Sequence, residues 1–228
     1  MKPMLKKLLH CQKQPVPVDV LTGYAYWAKS YPPQAHNPLM LLEEQAMLSL
    51  LPANLSGKSC LDLACGTGRY LLQLQARHAG RAVGVDYSAH MLDQSINNYQ
   101  LTINNLQLAL APFFPLPFNS SAFDLIVCGL AVGHEKNLEA TLSEAARVLR
   151  PGGELLYSDI HPTGTLAGWK RTFAGDNGVV FDLEHHLHRI DDHRQACRAA
   201  GLTIDAVLEP LFDGKIPAVL VIRAVKSN

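Results

Sequence analysis

This chain lacks cysteine pairs at redox or metal-binding spacing. Its five cysteines, Cys11, Cys60, Cys65, Cys128 and Cys197, include no C-x-x-C. Three of them lie in apolar, strand-like contexts, which reads as free thiols packed as small hydrophobes in a reducing compartment. Net charge is missing too. Twenty Lys+Arg offset 20 Asp+Glu, so no overall field draws the chain to nucleic acid or to an anionic membrane. No apolar run is long enough to span a bilayer. The opening "MKPMLKKLLHCQKQPVPVDV" is basic but has no apolar core of signal-peptide length. There is no internal repeat and no low-complexity tract. These absences point to a cytoplasmic protein with no membrane span. Its 228 residues, 48% hydrophobic, suffice for one well-buried core.

What is present is an alternation of two periods. Residues 1–18, interrupted by Pro15 and Pro17, read as a flexible N-terminal arm, and 19–228 as a single domain. "NPLMLLEEQAMLSLLP" (37–52) has Asn37 as N-cap and Pro38 at the first helical position. It closes a 19–52 segment read as N-terminal cover helices. "SCLDLAC", "RAVGVD", "LQLALA", "FDLIVCGL" and "ELLYSDI" read as buried strands, with helices between them. "TIDAVLEPL" and "IPAVLVIRAV" supply two more. The pattern predicts a Rossmann-like α/β fold: a seven-stranded, mainly parallel sheet covered by helices on both faces, its last strand antiparallel. Residues 161–188 break the rhythm and form a lid-like insertion beyond the carboxyl end of the fifth strand, where open α/β sheets bind ligands.

The densest signal is "CLDLACGTGRYLLQL". Gly66 and Gly68 permit a sharp strand-to-helix turn that a ligand can approach closely. Asp86 ends the next strand, twenty residues after Gly66, where a carboxylate can accept both hydroxyls of a ribose. A dinucleotide site wants a third glycine where Leu71 stands. S-adenosylmethionine has no pyrophosphate and carries an ammonium that suits Asp62; alternatively Asp62 only caps its own turn.

"LDLACGTGRY", "VGVDYSAHML", "LPFNSSAFDLIV" and "EAARVLRPGGELL" resemble, in order and spacing, successive motifs of the class I S-adenosylmethionine-dependent methyltransferases of small-molecule type. The resemblance covers about residues 55–160. It implies that Asp62, Ala64, Gly66 and Gly68 line the methionine end of the cofactor, with Ala64 a mild substitute for a common glycine. It implies that Asp86 holds the ribose, that Tyr87 packs near the adenine and that the backbone at Cys128 and Gly129 faces the ammonium. Where many members end the third strand in an acid that binds the adenine amino group, this chain has Ala111-Pro112, leaving the Phe113 backbone and apolar packing. Arg69 could meet the cofactor carboxylate or simply start a solvated helix. Tyr26, Trp27 and Tyr31 could cover the cofactor or pack as an apolar face on the sheet. His134 could face the substrate or be structural.

Methyl transfer needs alignment and exclusion of water, and a base only if the acceptor must lose a proton. The expected acceptor is a small molecule, not a nucleic acid, with Trp169 and Arg171 shaping its pocket. The candidate bases are His134, His161 and His186. If "VVFDLEHHLH" is extended, Glu184, His186 and His188 share one face, but neighbours on one strand rarely converge on an ion, and no metal is expected. Two rivals stay open: a non-catalytic cofactor-binding module and a nucleotide-dependent oxidoreductase.

Overall fold

The computed structural model describes residues 14–99, 106–175 and 178–227. A short strand, β1 (Val16–Val18), leads into helix α1 (Val20–Trp27). Asp19 caps α1 by accepting a hydrogen bond from the Thr22 backbone N–H at 2.9 Å. Helix α2 (Pro38–Leu50) begins as its sequence predicts, with Asn37 accepting from the Met40 N–H at 2.9 Å. The alternating region then runs β2 (Ser59–Leu63), α3 (Arg69–Ala76), β3 (Arg81–Asp86), α4 (Ala89–Tyr99), β4 (Leu106–Leu110), β5 (Phe123–Cys128), α5 (Leu138–Val148) and β6 (Leu149–Ile160). The insertion holds α6 (Pro162–Leu166), β7 (Thr172–Ala174) and β8 (Val180–Leu183). Helix α7 (Ile190–Ala199), β9 (Leu202–Leu208), a small hairpin of β10 (Leu211–Phe212) and β11 (Ile216–Pro217), and β12 (Val219–Lys226) complete the chain.

The main sheet has seven strands in the order β4-β3-β2-β5-β6-β12-β9. The first five are parallel, and β12 runs antiparallel to both of its neighbours. Each inner strand sends alternate side chains to opposite faces. Leu61, Val83, Ile126 and Leu155 pack with Leu142 and Ala145 of α5 and Ala196 of α7. Cys60, Ala82, Leu125 and Leu156 pack on the other face with Met40 and Met47 of α2 and Leu71 and Leu74 of α3. Helices on both faces explain why these strands read as unbroken apolar runs. Cys60, Cys65, Cys128 and Cys197 are free, buried thiols; Cys11 lies outside the described residues.

The N-terminal region corrects one expectation. Val16–Val18 is no loose arm: it pairs in parallel with β8, register Val16↔Phe181 to Val18↔Leu183. With β7 antiparallel on the other side of β8, the two chain segments make a three-stranded sheet. The prolines do not prevent this, because an edge strand tolerates a residue with no N–H to give. Residues 1–13 lie outside the described residues. Among the described residues, no helix is long and apolar enough to cross a membrane.

Candidate functional site

The switch point of the sheet lies between β2 and β5, and the chain leaves β2 there in a left-handed turn. Ala64, Gly66 and Gly68 have φ of 58°, 55° and 91°, and Gly68 then caps α3. The Asp86 carboxylate fixes this turn from the neighbouring strand. One of its oxygens accepts the Gly66 N–H at 2.7 Å and the other the Ser88 N–H at 2.8 Å. Each carboxylate oxygen keeps lone-pair capacity for a ligand. Ala64 is a less mild residue here than its size suggests, since a Cβ in the left-handed region costs about 1–2 kcal/mol. Ala64→Gly is expected to raise unfolding stability by about 1 kcal/mol in urea titrations. A loss of stability would show that the position does not store this strain.

Above the turn lies a cavity with about 1040 Å³ of empty space, counting its open mouth. Its floor includes Asp62, Gly66, Thr67 and Asp86, and one wall is Ala111, Pro112 and Phe113. Asp62 is buried, and among the described residues its Oδ2 has no hydrogen-bond partner. Burial pushes its carboxyl up to about 8, outweighing the opposing pull of Arg69, with Asp86 and Glu43 adding to the rise. Burial also raises the Asp86 carboxyl. A cationic donor from a ligand would satisfy the orphaned oxygen. At Gly66 a Cβ would meet nothing within 4 Å, so the turn leaves open space on that side.

The roof comes from the two ends of the small sheet. Helix α1 brings in Tyr24, and the segments around β7 and β8 bring in Arg171 and hold His134. The Tyr24 hydroxyl lies 3.0 Å from His134 Nε2, and His134 Nδ1 lies 2.8 Å from the Glu184 carbonyl. Burial, reinforced by Arg171, holds His134 well below its ordinary pKa. The Arg171 guanidinium donates to the Leu130 carbonyl. Trp27 stacks on Phe173 at 4.6 Å and Tyr26 on Phe181 at 5.4 Å, so aromatic packing locks α1 to the insertion. On the floor side, the fully buried Glu43 accepts from Arg69 at 2.7 Å, the Tyr70 hydroxyl at 2.8 Å and the Ser158 hydroxyl at 2.6 Å.

The cavity brings together Asp62, Ala64, Gly66, Arg69, Asp86, Tyr87, Phe113, Gly129, Tyr31, His134 and Arg171, all read from the sequence as site residues. It does not gather the rest. Cys128 is buried in the core below Gly129, and Gly68 acts as the helix cap. His161 is an N-cap: its Nδ1 accepts the Thr163 N–H at 3.1 Å while Nε2 lies 2.9 Å from Glu209. Trp169 packs against Gly164 and meets Phe212 at 6.3 Å, lining a neighbouring cavity instead. His186 lies 3.7 Å from the Glu184 carboxylate, and its backbone N–H bonds the Gly133 carbonyl. The strand ends at Leu183, so Glu184, His186 and His188 share no ladder face, and His188 turns to the Glu135 carbonyl at 2.8 Å. Of the three N-terminal aromatics only Tyr31 lines the cavity. Tyr26 and Trp27 pack on the insertion and not on the main sheet.

Sequence reasoning missed Tyr24, Glu43 and Glu135. The signal for Glu43 was available, because Met40, Glu43 and Met47 fall on one helical stripe and an acid among buried residues asks for partners.

Residues 61–157 match the family model described as "Methyltransferase domain". A demethylmenaquinone methyltransferase from Staphylococcus saprophyticus is 34% identical over 103 residues, 44% of each chain. An S-adenosylmethionine-dependent methyltransferase from Mesorhizobium loti superposes with a TM-score of 0.67 at 20% identity, covering 81% of this chain and 98% of that one. The (4+2)-cyclase SpnF superposes at 0.69 with 14% identity, over 94% and 99%. The sequence matches span about half the length of the curated relatives. Fold, glycine turn and matched segment together define a class I S-adenosylmethionine-dependent methyltransferase domain. Residues 61–157 carry that family's domain, and S-adenosylmethionine is its cofactor.

Proposed function

We propose that the protein transfers a methyl group from S-adenosylmethionine to a small-molecule acceptor. One observation carries the reading: a single cavity runs from Asp62, Gly66 and Asp86 to Tyr24, His134 and Arg171. Its acidic end suits a ligand with an ammonium and a ribose, and its aromatic end leaves room for a second molecule. The fold alone does not fix the reaction, since SpnF shares it. When bound, the cofactor supplies a methyl group on an activated sulfonium, and the protein has to align and shield the reacting atoms.

In this reading Asp62 takes the ammonium and Asp86 the ribose hydroxyls, with Tyr87 at the cavity rim. Arg69, held by Glu43 through one of its nitrogens, offers its remaining N–H groups to the cofactor carboxylate. The Ala111–Phe113 wall receives the adenine through apolar packing and backbone. Several relatives are named as methyltransferases of quinone-type molecules, and the Tyr24, Tyr31 and His134 rings suit a flat acceptor of that kind. The balanced charge of the chain favours such a partner over nucleic acid.

Asp86→Ala is expected to weaken S-adenosylmethionine binding by about 1–3 kcal/mol, read by calorimetry on a folded variant. Unchanged affinity would reject the ribose role. The function itself is tested with methyl-labelled S-adenosylmethionine and a panel of hydroxylated aromatic acceptors. Label is expected in one product class with matching S-adenosylhomocysteine. Tight cofactor binding with no label transferred to any acceptor would favour a non-methylating role.

A further inference from the structure

The roof of the cavity contains a chain of hydrogen bonds whose direction can be read. A carbonyl oxygen only accepts, so His134 Nδ1, 2.8 Å from the Glu184 carbonyl, must carry a proton. A neutral imidazole then has a bare lone pair on Nε2, and the Tyr24 hydroxyl at 3.0 Å donates to it. Tyr24 Oη therefore keeps one lone pair for the cavity, the Arg171 guanidinium being hydrogen-bonded to the other.

The tautomer is held by construction. Residues 184–186 are pinned by Glu184 N–H to the Val18 carbonyl at 3.1 Å, by His186 N–H to the Gly133 carbonyl at 2.7 Å and by His185 Nε2 to Asp159 at 3.1 Å. Any side chain at Gly133 would collide with His185 and Asp159, so glycine lets the loop carrying His134 lie against that pair. The Glu184 carbonyl cannot turn away without breaking these contacts.

We propose that Tyr24 and His134 form a proton relay for an acceptor that reacts through a phenolic or enolic hydroxyl. This deepens the methyltransferase reading and rests on it. The acceptor O–H donates to Tyr24 Oη. As that bond breaks, the proton passes to Tyr24 and the Tyr24 proton passes to His134 Nε2. The acceptor oxygen forms a bond to the methyl carbon, and the S–CH₃ bond breaks with its electron pair going to sulfur. One positive charge is lost at sulfur and one appears on the imidazole, so the net charge of the enclosed site does not change. The imidazolium later returns its proton to solvent through Tyr24 and the open mouth.

The acceptor class follows from the surroundings. His134 faces Arg171, His185 and His186 as well as Tyr24. In that company it is a weak base, too weak for an alkyl alcohol and adequate for an acidic hydroxyl whose anion Arg171 can hold.

The test uses the full chain and 4-nitrophenol, whose absorbance reports its ionisation. With S-adenosylhomocysteine present and the pH one unit below the phenol's own pKa, the wild-type protein is expected to bind the dye as its anion. The anionic fraction should rise roughly fivefold or more over free dye. Tyr24→Phe and His134→Gln are expected to return the bound dye to its neutral form while S-adenosylhomocysteine affinity, read by calorimetry, stays within about twofold. Against a methylated phenolic acceptor, the same variants should lower kcat by about a hundredfold or more with a much smaller change in KM. An equal spectral shift in the variants would overturn the relay by assigning the anion to Arg171 alone. A wild-type protein that binds neutral dye, or none, would overturn it too. Failure of the wild type to bind S-adenosylmethionine would instead sink the methyltransferase reading, and dye binding to the protein alone would still judge the relay.

Discussion

Glu43→Ala is expected to cost about 3–5 kcal/mol of unfolding stability, the scale for leaving a buried charge without its partner. Glu43 has no exposed surface. Its two oxygens accept from three side chains drawn from α3 and β6, namely Arg69, Tyr70 and Ser158. Truncation leaves two hydroxyls without an acceptor and the Arg69 guanidinium with only the partly exposed Glu44 as counter-ion. The adjacent Glu44 is the control. It lies 3.7 Å from the same Arg69 and is partly exposed, so Glu44→Ala should cost no more than about 1 kcal/mol. Urea denaturation of both variants compares them directly. Equal losses would mean that the buried network adds nothing beyond a surface ion pair.

A second large effect is expected at Asp62. Asp62→Asn should weaken S-adenosylmethionine binding by about 2–5 kcal/mol, as for one member of a desolvated charge pair. The mechanism predicts a second observable. Burial pushes the ligand-free carboxyl up to about 8, so at pH 6.5 it is expected to be protonated, whereas an α-amino group with a pKa of about 7.7–8.0 is still an ammonium. An ammonium beside Asp62 favours the carboxylate, so binding expels a proton. Calorimetry in buffers of different ionisation enthalpy should report close to one proton released per ligand at pH 6.5. The sign fixes the trend: with the folded pKa above the pH, affinity rises as pH rises toward 8. Asp62→Asn should abolish both the release and the slope. Binding with no proton exchange in the wild type would show that the ammonium docks elsewhere.

The sequence made the floor of the site readable because its residues are close together and their roles are local. A turn at Gly66 and Gly68 after an apolar strand, and an acid ending the next strand, are patterns of spacing. The cap at Asn37 was legible for the same reason: an N-cap bonds a backbone N–H only two or three residues away. The roof was harder. Tyr24 meets His134 across 110 residues, and no local period marks that pairing. His161 and His186 sit in the segment expected to carry the acceptor site, but position in a segment does not fix side-chain direction once a strand ends at Leu183. The prolines near residue 16 argued for an arm, and only the parallel partner β8 turned that stretch into a strand.

The pairing of Val16–Val18 with Phe181–Leu183 bears on how the protein is made and how it opens. A growing chain cannot roof its own cavity until more than 160 residues after the first half of that roof have been synthesised, so the main sheet has a chance to form beneath an unfinished cover. Contacts so distant along the chain carry the largest loop-closure cost, and the small sheet rests on only three paired positions with β1. It is therefore the unit that should detach first while the seven-stranded sheet stays folded. Ligand exchange and proteolytic nicking near residues 16–27 would then sample the same opening, and a ligand bridging floor and roof would slow both together.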